Sequence, residues 1–410
     1  MKRLIMRRDD KILSLAVEER NVKELNVYDP ESNDSPFAIG AIYIGKVANI
    51  VKNLNAAFVN IGVSGEDSES AHCFLPLDDL NPTVNAPDYA PIFIKRNNPN
   101  LVCPGDELLV QILREPIKTK PATLTTHLAF DGRYAVILPD SDTLSISRKI
   151  TDSGWKNRIR AVLEPLTGEH VGIILRTNAY ETDESEVEDE IRHLTATCRA
   201  VLDGAPYRTV YSCLYKPSPL WLKELRDIRS GKDYPEIETD DPVLFDRMKE
   251  YLVNDYHFPE EKLKLESEAS LLSIYNVERL LEDLLRKRVW LNSGAYLVIE
   301  PTEALTVIDV NTGKAINKKD MRSHICEINR EAAAEAARQI RLRNLSGIIL
   351  IDFINMPDSE DKDELMKYLK GKLDEDPIQT TLVGISKLDL VEITRRKVRK
   401  PLHETFRKSE

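Results

Sequence analysis

Alternating apolar and polar positions, broken by turn residues, run through much of the first 140 residues. Residues 3–8 and 11–18 are two such stretches around Asp9-Asp10, which predicts a β-hairpin within residues 2–27. Four more short stretches lie between residues 39 and 112, with glycine between them. Short strands with this punctuation predict a small closed barrel, interrupted by a long loop near residues 81–100 that is rich in proline and asparagine.

The rest of the chain alternates helical and strand patterns. Helical patterns near 155–165 and 182–203 flank an apolar strand at 171–177. From residue 294 to 400 the order strand, strand, helix, strand, helix, strand predicts an α/β or α+β layer. The helix near 319–343 is the best marked, because an Ala- and Glu-rich run ends at a glycine-containing stop and an apolar strand follows directly.

Composition indicates a globular protein without a membrane span. The 410 residues are 42% hydrophobic and 30% charged, which predicts two to four domains. No stretch approaches 18 consecutive apolar residues, and the N-terminus lacks the hydrophobic core of a signal peptide. The five cysteines form no CxxC pair, so we expect reduced thiols, a cytoplasmic location and no zinc site within this chain.

The formal net charge of −11 limits the partners that the chain is expected to bind. Such a charge argues against loose binding to a nucleic-acid duplex. It does not exclude a local basic groove, since acidic and basic residues occur in separate blocks. One basic block contains Arg395, Arg396, Lys397, Arg399 and Lys400.

Two predicted strands in the last third of the chain end on aspartates, Asp309 and Asp352. Carboxylates in such apolar surroundings are costly to bury unless they are paired, hydrogen-bonded or bound to a metal. One predicted helix separates the strands, so they can lie parallel and bring both carboxylates to one edge of a sheet. Asn311 follows Asp309 by two positions and therefore faces the same side of its strand.

Oxygen ligands of this kind suit Mg²⁺ or Mn²⁺, which bind few carboxylates and keep water or phosphate in their other positions. The chemistry they favour is metal-assisted attack by water on a phosphodiester, with Asn311 hydrogen-bonded to a carboxylate or to the scissile phosphate. An alternative stays open at this point, because Asp and Asn after an apolar strand are common turn and cap residues. A nucleotide cofactor is not indicated, since the chain has no glycine-rich phosphate loop.

Several longer strings of sequence point to a known family. These strings are Pro301–Gly313, Ala336–Ile354, Ala57–Gly62, Phe74–Pro76, Leu124–Thr126 and Arg176-Thr177. The first two resemble the catalytic segments of the ribonuclease E/G family of endoribonucleases. The next two resemble its S1 RNA-binding module, and the last two fall where the family has its 5′-sensor. The resemblance covers about residues 1–400.

The resemblance implies a multidomain α/β and α+β fold, in which an S1 (OB-fold) barrel and a 5′-sensor region are inserted into an RNase H-like domain. A DNase I-like catalytic domain would follow. The implied bounds are 1–37 and 218–282 for the structural RNase H-like domain, 38–122 for the barrel, 123–217 for the sensor, 283–400 for the catalytic domain and 401–410 for a tail.

By the same resemblance, Asp309 and Asp352 would hold Mg²⁺, or Mn²⁺, and Asn311 would orient one of them. The expected reaction is cleavage of single-stranded, AU-rich RNA to 5′-phosphate and 3′-hydroxyl ends, in rRNA processing and mRNA decay. Arg176 and Thr177 would bind the 5′-monophosphate of the substrate, since a guanidinium beside a hydroxyl suits a phosphate.

The resemblance also implies RNA-binding residues on the barrel. Phe58 and Phe74 occupy positions where the family stacks bases, although the same residues could instead belong to the barrel core. Arg114, Lys118 and Lys120 follow the barrel and are expected to track the phosphate backbone, with a plain solvated surface as the alternative. The basic block at 395–400 is expected to line the same groove or to form a basic helix end.

The chain departs from the family in three places. It ends at Glu410, before the Cys-Pro-x-Cys zinc-link of larger members, and we leave open whether it is a natural short form or a truncation. A homodimer would therefore need another contact. Pro121 in the sensor loop and the neutral Gln379, near which some members have an arginine, predict 5′-end sensing that is weaker or built differently. Two other functions stay open: an RNA-binding protein with little catalysis, and a ribosome-assembly factor.

Overall fold

The computed structural model describes residues 2–19, 21–30, 35–63, 72–80, 92–99, 101–116, 120–168, 171–180, 182–228, 234–313 and 321–406. The chain divides into two compact units. One unit contains Met1–Asp29 and Pro235–Glu410, and the other contains Pro30–Tyr234. The chain therefore leaves the first unit after its N-terminal strands and returns to it about 200 residues later.

The strands of the described residues, in chain order, are β1 (Lys2–Arg8), β2 (Lys11–Glu18), β3 (Asn21–Tyr28), β4 (Ile42–Val51), β5 (Ala56–Asn60), β6 (His72–Pro76), β7 (Phe93–Lys95), β8 (Glu107–Arg114), β9 (Thr123–Thr125), β10 (Phe130–Asp131), β11 (Ala135–Leu138), β12 (Leu144–Ile146), β13 (Gly172–Leu175), β14 (Cys213–Tyr215), β15 (Glu236–Thr239), β16 (Leu263–Leu265), β17 (Arg288–Trp290), β18 (Tyr296–Pro301), β19 (Leu305–Asn311), β20 (Gly347–Asp352), β21 (Thr380–Ile385) and β22 (Val391–Arg395).

The α-helices are α1 (Ser153–Leu163), α2 (Glu184–Gly204), α3 (Leu220–Asp227), α4 (Pro242–Met248), α5 (Leu271–Ile274), α6 (Val277–Leu285), α7 (Met321–Leu342), α8 (Ser359–Leu373) and α9 (Leu402–Thr405). A π-helical turn, Lys249–Asp255, continues α4. Within the described part of the chain, no helix is long and apolar enough to cross a membrane.

The N-terminal strands form a five-stranded sheet with the order β16-β15-β1-β2-β3. β1 and β2 pair as the predicted antiparallel hairpin, and β15 joins β1 in parallel. The sheet is thus built from two distant segments of the chain. Its core side chains, such as Leu4, Leu13 and Leu15, pack in one cluster with Leu281 and Leu284 of α6.

The predicted small closed barrel is confirmed. β4, β5, β6, β9 and β8 pair in that order, and an additional β4–β8 pairing closes the ring. β9 lies beyond residue 122, so the barrel sheet extends past the boundary expected from the sequence. The loop predicted near residues 81–100 contains strand β7, which pairs with β8, while residues 81–91 lie outside the described part.

A four-stranded sheet with the order β10-β11-β13-β12 follows the barrel in the same unit. The helices predicted near 155–165 and 182–203 are present as α1 and α2, and their buried side chains, including Ile159 and Ile191, join the same core as Ile137 and Ile173 of the sheet.

The last part of the chain forms a six-stranded sheet with the order β17-β18-β19-β20-β22-β21. The predicted strand and helix order is confirmed, with an extra strand because residues 380–395 form a hairpin, β21–β22. One face of this sheet packs on α7 and α8 through residues such as Ile308, Ile351 and Ile393. Among the described residues, no helix of this cluster covers the opposite face, which is called here the open face, and its side chains are half-buried or exposed. Both predicted catalytic aspartates, Asp309 and Asp352, belong to the open face.

Candidate active site

Asp309 and Asp352 lie side by side on neighbouring parallel strands. β19 and β20 pair in register from Leu305↔Ile348 to Asp309↔Asp352. Neighbouring strands are about 4.8 Å apart, so the two carboxylates share one edge of the open face. The expectation that helix α7 returns the chain in parallel beside β19 is confirmed.

Asn311 shares this edge. Its side-chain amide Nδ2 donates a hydrogen bond of 2.6 Å to Oδ2 of Asp309. The alternation of buried Ile308 and Val310 with half-buried Asp309 and Asn311 sets this orientation, because the apolar residues must face the helices. The amide can therefore fix the rotamer of the carboxylate.

Gly313 shows how tightly β19 ends. Its φ of +59° is left-handed, and a Cβ there would lie 2.5 Å from the carbonyl oxygen of Gly294. The turn containing Gly294 is itself held by Glu331 of α7, whose carboxylate accepts a 2.7 Å hydrogen bond from the backbone N–H of Asn292. A side chain at residue 313 would therefore push the turn that contains Gly294 away from the end of β19. The last residue of β19 is Asn311.

The two aspartates lie on the sheet face that the helices leave uncovered. Asp309 is half-buried and Asp352 is exposed. The sequence pattern predicted the strand but not which face the helices cover, and both aspartates alternate onto the uncovered one. Neither aspartate caps a helix, because Asp309 lies inside β19, Asp352 is the last residue of β20 and the side chain that caps α8 is Asp358.

The donor set fits a magnesium-type ion. Mg²⁺ is usually bound by one or two carboxylates and keeps several waters, whereas an all-protein cage needs more ligands. Within the described residues no group of three or more His, Cys, Asp or Glu side chains could hold a metal. Two adjacent carboxylates on an accessible face, one of them fixed by an amide, match the first arrangement.

Three of the predicted RNA-binding residues lie in one row across neighbouring strands together with Thr123, and this row is called here the barrel row. Phe58 of β5 is paired with Phe74 of β6, which is paired with Thr123 of β9, which is paired with Arg114 of β8. The two rings meet edge to face with centroids 6.2 Å apart. Both rings are half-buried and lie outside the barrel core, which contains their strand neighbours such as Ala57 and Cys73.

Lys120, another predicted RNA-binding residue, precedes β9 by three positions. Lys120 is exposed. Lys118 lies outside the described residues. Pro121 is exposed and directly precedes the buried Ala122.

The basic block at 395–400 does not form a helix end, because its first residue, Arg395, is the last residue of strand β22. Arg395 also cannot line a groove, since its side chain is 3% exposed and pairs with Asp376, which is 1% exposed. Burial follows from the strand alternation, which turns Arg395 toward the same side as Ile393. Arg396, Lys397 and Lys400 remain exposed, and the guanidinium of Arg399 lies 4.9 Å from the ring centroid of Tyr28.

The two predicted phosphate-binding residues stand at the end of β13, in an environment rich in carboxylates. Arg176 forms an ion pair with Asp131, and its Nη1 is 3.8 Å from Oδ2 of Asp227. The neighbouring Thr177 is exposed, with its hydroxyl 3.3 Å from that of Ser147. Arg176 and Thr177 are therefore adjacent as expected, but the guanidinium already has an anionic partner.

Further charged residues that sequence reasoning missed surround Arg176. Arg226 is 2% exposed and donates to Oδ1 of Asp227 at 2.7 Å and to the backbone oxygen of Asp131 at 3.0 Å. Burial also lowers the pKa of Lys223 to about 8. The residues come from distant parts of the chain, so no local pattern could have joined them. Their arrangement makes Asp131 a competitor for any phosphate that approaches Arg176.

Fold and site together define a mixed α/β protein that combines a closed five-stranded barrel with a carboxylate pair on an accessible sheet face. The family model described as "Ribonuclease E/G family" matches residues 129–398. The chain belongs to the ribonuclease E/G family. The family predicted from the sequence is confirmed, and its members are endoribonucleases.

Individual relatives agree with this assignment. Ribonuclease G of Haemophilus influenzae is 33% identical over 373 residues, which cover 90% of this chain and 74% of the relative. Ribonuclease G of Escherichia coli (strain K12) is 31% identical, with the same shares covered. Ribonuclease E of Synechocystis sp. is 32% identical over 376 residues, 90% of this chain and 53% of the relative. The chain thus spans about half the length of this ribonuclease E and three quarters of the ribonucleases G.

Proposed function

We propose that this chain is a Mg²⁺-dependent endoribonuclease that cleaves single-stranded, AU-rich RNA and leaves 5′-phosphate and 3′-hydroxyl ends. The processes it would serve are rRNA processing and mRNA decay. One observation carries the proposal: Asp309 and Asp352 are paired in register on adjacent strands, with Asn311 hydrogen-bonded to Asp309. Relatives named ribonuclease E and ribonuclease G support it.

Asp309 and Asp352 would hold the magnesium ion, which when bound supplies a Lewis acid for the phosphodiester and lowers the pKa of its water. Asn311 has a positioning role, since its amide hydrogen bond restricts the rotamer of Asp309. The open face gives a polymer access to both carboxylates, which a closed pocket would not. Manganese is an expected substitute because it takes similar oxygen ligands.

The finer domain assignments are part of the proposal. The order β3-β2-β1-β15-β16, with an antiparallel meander followed by parallel strands, supports an RNase H-like domain. We propose that this domain is structural, as the family resemblance implies. The six-stranded sheet with α7 and α8 on one face supports a DNase I-like catalytic domain. The domain bounds given above, a homodimer formed without a zinc-link and a cytoplasmic location stay predictions.

Phe58→Ala and Phe74→Ala should each weaken binding of a single-stranded oligoribonucleotide by about 1–3 kcal/mol, the usual loss when a stacked base is lost. The measurement is a binding titration by fluorescence anisotropy. Leu113→Ala is a matched control, because Leu113 is exposed on the same barrel beside Arg114. Wild-type affinity in both phenylalanine variants would remove the barrel row from the RNA-binding surface.

Asp131→Asn should strengthen recognition of a 5′-monophosphate, because it removes a negative charge that competes for Arg176. The expected result is a several-fold rise in the ratio of cleavage rates for 5′-monophosphate and 5′-hydroxyl substrates. Asp142→Asn, an exposed substitution between β11 and β12, is the control. Since Asp131 also accepts from Arg226, a thermal melt must accompany the rates. A folded variant with an unchanged ratio would show that Asp131 does not compete with a 5′-phosphate for Arg176.

The proposed function is tested by offering the protein one sequence as single-stranded RNA, as RNA duplex and as single-stranded DNA, with Mg²⁺ or with EDTA. Internal cleavage of the single-stranded RNA alone, only with Mg²⁺, is expected, and the products should be ligatable without treatment by kinase or phosphatase. Tight binding without cleavage would instead indicate an RNA-binding protein. Products that end in a 2′,3′-cyclic phosphate would contradict a metal-activated water as nucleophile.

A further inference from the structure

An aromatic cluster lies on the open face next to the aspartates and has no part in the metal site. It consists of Arg288 and Trp290 on the edge strand β17 and Tyr296 on β18, and is called here the aromatic shelf. Trp290 is 63% exposed. Its ring centroid is 5.0 Å from that of Tyr296, and the guanidinium of Arg288 lies 4.5 Å from the Tyr296 centroid and 5.7 Å from that of Trp290.

Strand register fixes where the shelf stands. Trp290 is paired with Tyr296, and Tyr296 is paired with Asn311. Directly paired residues share a face, so the shelf, Asn311 and Asp309 form one continuous surface. With about 4.8 Å between strands, the Trp290 backbone is about 10 Å from that of Asn311. A nucleotide beside a phosphate at the aspartate pair can therefore reach the shelf.

The chemistry of the shelf suits an unpaired base. Large exposed aromatic rings bind bases of any sequence through their faces, and an arginine adds a planar cation that stacks or meets a phosphate. Arg288, Trp290 and Val298 also line a groove of about 980 Å³, which continues around the edge strand β17 to residues of α6 and α7 such as Leu284 and Gln339.

We infer that the aromatic shelf is a subsite that stacks a base of single-stranded RNA next to the bond that is cleaved. This inference rests on the proposed function for its substrate class. Trp290 and Tyr296 hold the base, and Arg288 orders the two rings. The shelf would place the flanking nucleotide, and through it the scissile phosphate, over Asp309 and Asp352.

Tryptophan fluorescence offers a direct test, since the chain has three tryptophans and both Trp155 and Trp221 are buried. The experiment titrates single-stranded oligouridine into the Asp309→Asn protein, which keeps the RNA intact, and repeats the titration with Trp290→Phe and Trp290→Ala added. We expect quenching on binding, loss of the quenching with near-normal affinity in the Phe variant, and about 10-fold or weaker binding in the Ala variant. Tyr207→Ala, an exposed aromatic in the other unit, should bind like the parent.

A second measurement uses cleavage-competent protein and an RNA with one abasic position beside the cut site. The abasic RNA should be cleaved with a raised KM by the wild type, and Trp290→Ala should add little further loss, because both changes remove the same stack.

Unchanged fluorescence at saturating oligouridine, or wild-type affinity in Trp290→Ala, would overturn the subsite. So would a Trp290→Ala variant that turns a dimer into a monomer with unchanged RNA affinity, since the shelf would then be a contact between chains. Quenching in a protein that cleaves no RNA would support the shelf and contradict only the nuclease proposal.

Discussion

Asp309→Asn is expected to slow RNA cleavage by at least ~10²-fold, the usual scale for removing one group that stabilises charge in a transition state. The neutral amide cannot supply the charge that Mg²⁺ requires, and Asn311 would lose the carboxylate to which it donates. RNA affinity should stay within a few-fold, because the barrel row and the aromatic shelf are untouched. Single-turnover cleavage and anisotropy binding of the same oligoribonucleotide measure the two effects separately.

Glu392→Gln is the matched control for this variant. Glu392 is a half-buried carboxylate on the open face of the same sheet, paired with Leu350 of β20. It should cleave RNA at the wild-type rate. Equal losses of cleavage rate in the two variants would mean that the total negative charge of the open face matters, and not Asp309 in particular. Full activity in Asp309→Asn would show that Asp309 is not part of the active site.

Asp376→Ala is expected to lower the free energy of unfolding by about 3–5 kcal/mol, as is typical when one partner of a buried ion pair is removed. Asp376 accepts from Nε of Arg395 at 2.7 Å and from Nη2 at 3.3 Å, and both side chains are almost fully buried. The variant leaves the cation of Arg395 without its counter-charge. Urea denaturation followed by circular dichroism measures the loss.

Two further variants separate burial from charge. Glu300→Ala breaks an exposed pair with Lys287 in the same sheet and should cost less than about 1 kcal/mol. The double variant Asp376→Leu with Arg395→Met should recover much of the stability lost by Asp376→Ala, because it leaves no unpaired buried charge. A loss below 1 kcal/mol in Asp376→Ala would show that Arg395 finds enough compensation from its hydrogen bonds to Asn344 and Leu345.

Much of the local structure was predictable from the sequence. Alternation predicted the N-terminal hairpin and the barrel, and the helix between β19 and β20 implied a parallel return that pairs Asp309 with Asp352. These features depend on short-range periodicity and on the handedness of one crossover connection. Both can be inferred from the pattern of apolar and polar residues along the sequence.

Features that depend on distant partners were not predictable. Nothing near Asp352 shows that its sheet face is left uncovered by helices, because the residues on both sides of it in the sequence are apolar. Arg395 was predicted to belong to a basic surface block, but its side chain is buried and forms an ion pair with Asp376. Asp131 meets Arg176 and Arg226 across long stretches of chain. The aromatic shelf depends on the pairing of β17 with β18.

The most direct measurement is the Mg²⁺ concentration that gives half-maximal cleavage of a single-stranded oligoribonucleotide, in wild type, Asp309→Glu, Asp352→Glu and the control Glu392→Asp. Lengthening either aspartate displaces a carboxylate without removing its charge, so both variants should need more Mg²⁺ and turn over more slowly, while the control follows the wild-type curve. Wild-type Mg²⁺ curves in both aspartate variants would contradict a magnesium site formed by Asp309 and Asp352.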